Sequence, residues 1–393
     1  MATVVVSSYN VASFPEGGGH FWVYMQYVHG LRQAGCDVYW LERFRRGKDP
    51  ARDAQAMTTF FERMKRFELE GKVLLYTQDD APAGGESVLE FVGVPGGRPA
   101  AEDILRRADL LLNFHYAIDP RLLGCARRTA LVDIDPGLLQ FWMSTNQLHV
   151  PPHDAYLTIG ETVGTPAARF PDCGLSWIPF RPPVCLDLWP YSFAPRSDAF
   201  TTVAGWWSGQ WVRGMVDGHE IFYENTKRVS FLEFVELAGR TRQPLELALY
   251  LAKNDGADLA LLDRHGWRVR RSQDVAGSPE EYRAYVQRSR GEFSCAKPSC
   301  MKLQNAWISD RTLCYLASGK PAVVQHTGPS TYLPDGEGLF RFTTVDEAAA
   351  ALEAVNTDYE RHCRAAREIA ATWFDARQVL SHILNATLQG AAC

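Results

Sequence analysis

The sequence predicts an α/β protein of two domains, each a doubly wound parallel sheet with helices on both faces. The chain has 393 residues, a length that fits two domains of ordinary size. Short apolar segments alternate with helical stretches of ten or more residues, and this alternation is typical of β-α-β units. Most apolar segments are continuous rather than alternating, which is typical of parallel strands covered on both sides.

The first domain is predicted to span residues 1–185. A β-branched run opens the chain, and a glycine stretch and a helical pattern through Gln33 follow it. Further apolar runs with strand character come before residue 160. The predicted strands are residues 3–7, 37–41, 73–76, 110–114, 130–134 and 155–159.

A proline-rich stretch marks the predicted boundary between the domains. Pro179, Pro182 and Pro183 stand close together, and Pro190 and Pro195 follow them. Proline lacks a backbone N–H and has a fixed φ, so this stretch forms neither a helix nor a central strand. We therefore predict that a second domain spans residues 186–373.

The alternation of strands and helices resumes after the boundary. The predicted strands are residues 201–204, 245–251, 267–271, 291–295, 321–324 and 339–342. The predicted helices include residues 225–238, 346–371 and 375–388, with a junction at Trp373 and Phe374. Two such domains in tandem leave a cleft at the carboxyl ends of their sheets, which suits an enzyme with one ligand on each side.

Composition and charge exclude several classes of protein. Hydrophobic residues make up 46% of the chain and the formal net charge is −5, so neither a disordered protein nor one that coats nucleic acid fits. No apolar run approaches the roughly 18 residues of a membrane span. The nine cysteines are scattered and never spaced as Cys-x-x-Cys, which favours reduced thiols over disulfides or a structural zinc. The N-terminal residues lack the pattern of a signal peptide, so we expect a cytoplasmic protein.

Three consecutive glycines lie between the first predicted strand and the first predicted helix. Gly17, Gly18 and Gly19 allow backbone amides to approach an anion at a helix N-terminus. The order G-x-G-x-x-G is absent, so a nicotinamide or flavin fingerprint is not supported. A plain strand-to-helix turn is the simpler alternative. His20 follows the glycines and is a candidate general base or, equally, a residue that positions a ligand.

The segment 201–227 leads from a strand to a helix through a glycine-rich loop that carries Trp206, Trp207 and Trp211. These three rings predict either a lid with a stacking surface or partial burial against the domain. Asn225 is a good helix N-cap, which places Lys227 in the first helical turn, within reach of a phosphate in the cleft.

The densest group of polar residues follows the predicted strand 291–295. Lys297 comes first, and Ser309 is the predicted cap of a helix that begins with Asp310 and Arg311. A helix N-terminus with nearby cations predicts a diphosphate pocket, in which Asp310 holds ribose hydroxyls. The alternative is that these residues are only caps and turns.

Two segments resemble the GT-B glycosyltransferases. The run SDRTLCYLASGKPAVVQHTG, residues 309–328, resembles their donor-binding segment, and residues 17–42, which begin GGGHFWVYMQ, resemble their opening. The resemblance spans most of the chain. It implies two Rossmann-like domains that face a central cleft, with a nucleotide-diphosphate sugar bound mainly by the second domain and an acceptor by the first. It also implies that a final helix, within residues 374–393, crosses back to the first domain.

Residues on the donor side follow from the positions that match the family. The resemblance places Lys227 at the donor diphosphate, Asp310 near the ribose and the three glycines in a loop that closes over the phosphates. Many retaining members carry a pair of glutamates where this sequence has Ala306 and Cys314. The stereochemical outcome therefore stays open. The full predicted donor side is Gly17, Gly18, Gly19, Trp206, Lys227, Lys297, Ser309, Asp310 and Arg311.

The predicted acceptor side consists of Asp135, Glu161 and His115. Asp133 and Asp135 form an Asp-x-Asp motif, which in another glycosyltransferase fold chelates a divalent metal. Here a Pro-Gly pair follows the motif at a strand end, so a structural turn with Asp135 at the edge of the cleft is favoured. We therefore predict no metal site among these residues.

The sequence as a whole predicts a glycosyltransferase that moves a sugar from a nucleotide-diphosphate sugar to a small-molecule acceptor in a bacterial biosynthetic pathway. An inverting reaction requires a base, for which His20 is the candidate, whereas a retaining reaction leaves His20 as a contact. The alternatives are a nucleotide-sugar epimerase of the same fold and a non-catalytic partner protein that binds nucleotide sugars. We expect the nucleotide sugar as co-substrate, no other cofactor, no strictly required metal, no nucleic-acid partner and no membrane span. The oligomeric state is not predicted.

Overall fold

A computed structural model describes residues 1–79, 87–207, 211–216, 219–251 and 255–388. Within these ranges the chain forms an eight-stranded sheet, a six-stranded sheet and a two-stranded hairpin. Helices cover both large sheets, so the predicted two-domain α/β architecture is confirmed. Every described helix is too short or too polar to cross a lipid bilayer.

The first sheet has its strands in the order β4-β3-β2-β1-β5-β6-β7-β8, and all of its pairs are parallel except β3–β4. The strands are β1 (Thr3–Ser7), β2 (Asp37–Arg43), β3 (Val73–Asp79), β4 (Val88–Val92), β5 (Leu110–Asn113), β6 (Thr129–Asp133), β7 (Ala155–Thr158) and β8 (Trp177–Pro179). The helices are α1 (Gly18–Gln33), α2 (Pro50–Arg66), α3 (Gly97–Arg107), α4 (Pro120–Leu123) and α5 (Leu138–Ser144).

The second sheet is fully parallel, in the order β13-β12-β9-β14-β15-β16. Its strands are β9 (Phe200–Gly205), β12 (Leu245–Tyr250), β13 (Arg268–Arg271), β14 (Gly291–Ser294), β15 (Ala322–Gln325) and β16 (Leu339–Phe342), and the hairpin is β10 (Trp211–Val216) with β11 (His219–Glu224). The helices are α6 (Lys227–Glu233), α7 (Leu237–Arg240), α8 (Gly256–Arg264), α9 (Ser272–Val275), α10 (Pro279–Arg288), α11 (Pro298–Leu303), α12 (Asp310–Ala317), α13 (Val345–Thr357), α14 (Tyr359–Trp373) and α15 (Ala376–Leu388).

Several elements differ from the sequence-based expectation. The antiparallel edge strand β4 was not expected, and its alternation of exposed Val88, buried Leu89, exposed Glu90 and buried Phe91 is typical of a strand with one covered face. The predicted loop after β9 contains the hairpin β10–β11. The predicted helix 346–371 is two helices, because the chain breaks at Asp358, whose side chain caps α14.

The last helix returns to the first domain. Val184 and Asp375 form an isolated bridge between backbones, and α15 then packs along α1. Gly30 permits this close approach, since a Cβ at that position would lie 2.4 Å from Leu380 and 2.9 Å from Ala376. Residues 389–393 of the predicted returning segment lie outside the described ranges.

One apolar cluster of the described residues spans both domains. It contains a chain of rings in which Trp22 of α1 lies 5.1 Å from Trp189, and Trp189 lies 6.1 Å from Tyr282 of α10. The Trp22 indole also donates a hydrogen bond of 2.9 Å to the Pro279 carbonyl of the second domain. This buried contact holds the domains against each other and fixes the space between them.

Candidate functional site

A cavity of about 710 Å³ lies between the two domains. Its wall is formed by segments that follow the carboxyl ends of strands in both sheets, where ligands of doubly wound folds bind. The residues that line this wall include Tyr9, Phe14, Glu16, Gly17, Gly18, Gly19, His20, Tyr24, Asp135, Pro136, Leu138, Trp207, Lys227, Tyr250, Lys297, Asn305, Trp307, Ser309, Asp310 and Arg311. We refer to this space as the interdomain cavity.

Several helices begin at the wall of the interdomain cavity. The first residues of α1, α5, α6 and α12, which are Gly18, Leu138, Lys227 and Asp310, all line it. The longer of these helices are α1 and α12, and their first backbone N–H groups have no partner within the helix. The N-terminus of each helix therefore presents the equivalent of about half a positive charge at the cavity. The wall thus favours an anionic ligand even before its side chains are considered.

Packing between the domains requires glycine at two positions of the glycine loop, which the sequence did not reveal. A Cβ at Gly18 would lie 2.2 Å from the Ser278 carbonyl oxygen, and a Cβ at Gly19 would lie 2.6 Å from the Tyr282 ring. Both neighbours belong to the second domain, so these glycines allow the domains to meet. The three glycines also line the cavity, which is where a phosphate-facing loop would lie. The same loop therefore packs against the second domain and faces the cavity.

His20 stands in the wall immediately after the glycine loop. Its Nε2 lies 2.7 Å from the Tyr9 carbonyl oxygen, so the neutral ring donates from Nε2 and Nδ1 remains the acceptor. Burial lowers the pKa of His20, and the bond to Tyr9 opposes that shift. A ring that is neutral at physiological pH, with Nδ1 available, accepts a hydrogen bond or a proton from a hydroxyl group.

Glu42 holds the segment between β1 and α1 in place through hydrogen bonds, and the sequence analysis did not identify it. Its carboxylate is fully buried and accepts hydrogen bonds from the Ala12 backbone at 2.6 Å, from Ser8 Oγ at 2.7 Å and from Trp40 Nε1 at 2.9 Å. The signal in the sequence was a glutamate inside an apolar strand. Glu42 thereby fixes the loop whose Tyr9 carbonyl orients His20.

Lys227 is the buried cation of the second domain. Its Nζ donates a hydrogen bond to the Cys295 carbonyl and lies 5.3 Å from the centre of the Trp307 ring. No carboxylate of the described residues forms an ion pair with it. Burial lowers the pKa of Lys227 to about 7, and the charge of Arg311 adds to the shift. An anion in the cavity would therefore meet an ammonium group that lacks a counter-ion.

The helix that carries Lys227 begins one residue later than the sequence predicted, so Lys227 is its first residue rather than its second. The N-cap of α6 is Thr226, and the predicted cap, Asn225, instead accepts a hydrogen bond from the Ser299 backbone at 2.9 Å. This bond joins the start of α6 to the start of α11. The two segments that carry Lys227 and Lys297 are thus held together at the wall.

Arg311 lines the cavity, but its guanidinium is engaged within the protein. It donates to Glu292 at 2.7 Å, to the Val203 carbonyl at 2.9 Å and to Ser294 Oγ at 2.5 Å. These bonds join α12 to β9 and β14. Its charge is balanced by a buried carboxylate, so Arg311 contributes less to an anion site than Lys227 does.

The start of α12 has the arrangement that the sequence predicted. The Ser309 side chain caps the helix by accepting from the Arg311 backbone at 3.3 Å, and Asp310 lines the cavity as the first helical residue. Burial raises the pKa of Asp310, whereas the Arg311 charge lowers it. A carboxylate in this position can accept hydrogen bonds from the hydroxyl groups of a ligand.

The Asp-x-Asp motif divides into a structural and a cavity-facing residue. Asp133 is fully buried and accepts from Gln140 at 2.9 Å, Thr158 at 2.8 Å and the Asp135 backbone at 3.0 Å. Burial raises the pKa of Asp133 to about 7. Asp135 lines the cavity, opposite the second domain. Among the described residues, no group of three or more acidic, histidine or cysteine side chains forms a metal site.

The structure places Glu161, His115 and Trp206 outside the wall of the cavity. Glu161 accepts bonds from the backbone and hydroxyl of Thr331, at 2.6 and 2.5 Å, and so links the domains. His115 is buried with its ring 5.2 Å from that of Tyr9, and burial lowers its pKa to about 4.

Trp207 takes the place that was predicted for Trp206. The Trp206 side chain is fully buried, and its indole donates to Asp258 at 2.9 Å. Trp207 lines the cavity and remains about half exposed, with the Arg228 guanidinium 4.6 Å from its ring centre. One residue of the tryptophan pair is therefore a core residue and the other a wall residue.

Asn305 is a further wall residue that the sequence did not indicate. Its Nδ2 donates to the Pro136 carbonyl at 2.6 Å, and its Oδ1 accepts from the Trp307 backbone at 3.1 Å. It therefore joins the loop that carries Asp135 to the loop that precedes α12. The two sides of the cavity are fixed relative to each other at this point.

Comparison with solved structures identifies the fold. No protein-family model and no curated protein sequence matches the chain. Sucrose-phosphate synthase from Thermosynechococcus elongatus matches over 100% of both chains, with 12% identity and a TM-score of 0.53. An alpha-glucosyltransferase in complex with UDP and a 13-mer DNA matches over 98% of both chains, with 10% identity and a TM-score of 0.59. Anabaena HepE in complex with UDP-glucose matches over 98% of this chain and 100% of its own, with 11% identity and a TM-score of 0.56. The chain has the GT-B fold, as its resemblance to that family predicted.

Proposed function

We propose that the protein is a glycosyltransferase that moves a sugar from a nucleoside-diphosphate sugar to a small-molecule acceptor. The observation that carries the proposal is the interdomain cavity, where Lys227, which has no carboxylate partner in the described part of the chain, lines the same wall as the starts of α1 and α12. These groups are suited to a diphosphate. Hydroxyl-binding groups, Asp310 and Asp135, stand on the same wall. Solved structures of the same fold contain UDP or UDP-glucose, which supports this assignment.

Lys227, Lys297 and the helix N-termini would hold the diphosphate of the donor. When the bond between the sugar and the diphosphate breaks, negative charge develops on the leaving oxygen. Cations and N–H groups fixed beside that oxygen stabilise this charge more than they stabilise the intact donor, and this difference accelerates the reaction. In this proposal the chain itself supplies the positive charge, so transfer requires no metal ion.

Asp310 would accept hydrogen bonds from donor hydroxyl groups, and Asp135 would face the acceptor. Nδ1 of His20 would accept a hydrogen bond from a hydroxyl group of either substrate. In an inverting reaction that atom takes the proton of the attacking hydroxyl, and in a retaining reaction it only orients the sugar. The sugar, the acceptor, the bacterial biosynthetic setting and the cytoplasmic location are all part of the proposal.

The contact between the domains would protect the donor from water. The ring chain from Trp22 to Tyr282 and the bond from Asn305 to Pro136 join the two domains, and Tyr282, Asn305 and Pro136 line the cavity. Water is the competing acceptor in glycosyl transfer, so a closed site favours transfer over hydrolysis.

A thermal-shift screen tests the donor site. UDP, GDP, ADP, CMP and dTDP are added in turn to the full chain, with magnesium and with EDTA. A nucleotide at about 100 times its dissociation constant adds about 2.7 kcal/mol to the free energy of unfolding. We expect one of the nucleoside diphosphates to raise the melting temperature equally in both conditions, and Lys227→Met to abolish that shift.

Turnover is then measured with the sugar conjugates of the nucleotide that binds. Release of nucleoside diphosphate that depends on an added acceptor supports a transferase. Binding without any release, with every acceptor and with water, would contradict the proposal and favour a binding protein. A shift that appears only with magnesium would contradict the metal-independent role of Lys227.

A further inference from the structure

The outward face of the β10–β11 hairpin carries an exposed aromatic pair. Trp211 and Phe222 stack with their ring centres 4.9 Å apart and their planes 12° from parallel. Their side chains are 52% and 61% exposed, and neither belongs to an apolar cluster of the described residues. Because the rings stack on each other, the pair presents its outer ring faces and its edges to solvent, an apolar surface that a folded chain usually avoids unless the surface is used. We refer to it as the aromatic platform.

The opposite face of the hairpin fixes the platform beside the cavity. Val212 is buried against Leu138 and Phe141 of α5, in the first domain. Gly214 allows this approach, since a Cβ there would lie 2.9 Å from the Phe141 ring. Gln147 adds a hydrogen bond of 2.6 Å to the backbone of the hairpin. Leu138 itself lines the interdomain cavity, so the surface that anchors the platform is continuous with the wall of the site.

The rim of the platform carries both signs of charge. Residues directly opposite each other in an antiparallel pair share a face, and the register places Arg213, Glu220 and Glu224 on the face of Phe222. Arg213 and Glu220 are exposed and lie 3.8 Å apart. Glu224 lies 3.9 Å from Arg228, so the charges of this rim occur as cation–anion pairs and do not favour a phosphate backbone or an anionic lipid surface, for which a basic rim is required.

The chemistry of this surface fits a neutral saccharide. The flat aromatic faces match the C–H face of a sugar ring, and the charged rim supplies donors and acceptors for its hydroxyl groups. We propose that the aromatic platform binds an oligosaccharide, and that this oligosaccharide is the acceptor whose end enters the interdomain cavity. The second part of this inference rests on the proposed transferase function, whereas the binding of a saccharide by the platform does not.

Saccharide binding is measured by isothermal titration with cellohexaose, maltohexaose and chitohexaose, in the absence of nucleotide. Saturation-transfer NMR on the same mixtures then reports which sugar protons lie on the protein. We expect one hexasaccharide to bind, with saturation strongest on its ring C–H protons. Trp211→Ala and Phe222→Ala should each weaken that binding, by about tenfold if the stacking contribution is about 1.4 kcal/mol.

A matched control is available in Phe193, an exposed ring that stacks on the buried Tyr359. Phe193 is 41% exposed and stacks on Tyr359 at 5.8 Å, so Phe193→Ala removes a comparable ring from another surface. It should leave hexasaccharide binding unchanged. All three variants should keep the wild-type melting temperature and UDP affinity, because these rings lie outside the wall of the cavity.

Several results would overturn the inference. Binding of none of the three hexasaccharides would do so, as would equal affinity in Trp211→Ala or an equal loss in Phe193→Ala. Platform-dependent binding of phosphatidylglycerol vesicles or single-stranded DNA, without saccharide binding, would assign the surface to a different partner. The separate UDP measurement distinguishes these failures from failure of the transferase proposal. A protein that binds UDP but no saccharide would refute only the saccharide-binding role of the platform.

Discussion

Binding of a nucleoside diphosphate should change the protonation of Lys227. Burial lowers the pKa of this lysine to about 7, and the neighbouring Arg311 contributes to the shift. A bound diphosphate places negative charge beside Nζ, which favours the charged ammonium and raises its pKa. The complex should therefore take up a proton at any pH at which the free protein holds Lys227 neutral.

The size of this uptake follows from the pKa of Lys227. At pH 8, roughly one tenth of the lysine is protonated in the free protein, so full protonation in the complex requires about 0.9 proton per ligand. Phosphate groups titrate at about pH 6 and are already ionised at pH 8, so the ligand adds little. Burial lowers the pKa of His20, so its ring is neutral in the free protein at pH 8.

Isothermal titration measures the uptake directly. UDP, or the nucleotide that the thermal-shift screen identifies, is titrated at pH 8 in HEPES and in Tris, which differ in ionisation enthalpy. The difference in observed enthalpy then gives the number of protons exchanged. Lys227→Met keeps an apolar stem of similar length without the titrating group, and its uptake should fall to about zero. Lys297→Met, which removes another lysine of the same wall, should retain most of the uptake.

The sign of the pH dependence offers a second check. Above about pH 7 the free protein must gain a proton to bind, so affinity should fall by up to about tenfold per pH unit. No proton uptake by the unmodified protein at pH 8 would refute the reasoning. An uptake that persists in Lys227→Met would refute its assignment to this residue.

Three further predictions concern stability and turnover. The pKa of Lys227 is lower in the folded than in the unfolded chain, so its contribution to the free energy of unfolding should rise by about 1 kcal/mol from pH 7 to pH 8. Urea denaturation at the two pH values should show this rise in the unmodified protein and not in Lys227→Met. Identical pH profiles of the two proteins would contradict the prediction. Gly18→Ala places a Cβ 2.2 Å from a carbonyl oxygen and should lower the free energy of unfolding by about 1–3 kcal/mol, whereas Gly256→Ala meets open space and should not, and equal losses would contradict the packing argument. If His20 is the general base, His20→Ala should lower kcat by about 100-fold or more and leave UDP affinity unchanged, and a wild-type kcat would exclude that role.

The buried parallel strands were predictable because their local sequence is unambiguous. The run 3–7 matches β1 at both ends, since a central strand covered on both faces is largely apolar, and the run 339–342 matches β16 at both ends although it contains Arg341. Strand β4 covers only one face and gave no such run. The hairpin β10–β11 was missed because its glycines indicate a loop, and what holds it is the distant contact of Val212 with Phe141.

Part of the candidate site was also predictable. Gly18 begins the helix that follows β1, and Lys227 and Asp310 lie in the connections that follow β9 and β14, so the topology brings them to the carboxyl edges of their sheets. The same rule placed His115 and Glu161 near that edge, but it does not specify side-chain direction. His115 packs on Tyr9 and Glu161 binds Thr331, across the domain boundary.

The sequence by itself determined the α/β class, the two-domain order and the strand ends at which chemistry is located, because these depend on local periodicity and on the rules of parallel sheets. Only the tertiary structure decided that Trp207 rather than Trp206 lines the cavity, that Arg311 is neutralised by Glu292, and that Lys227 has no such partner among the residues the structure describes. Burial and charge pairing arise from contacts between residues far apart in the chain, such as the 2.9 Å bond from Arg311 to the Val203 carbonyl. A sequence pattern reports which groups are available, and the packed domains decide which of them face the ligand.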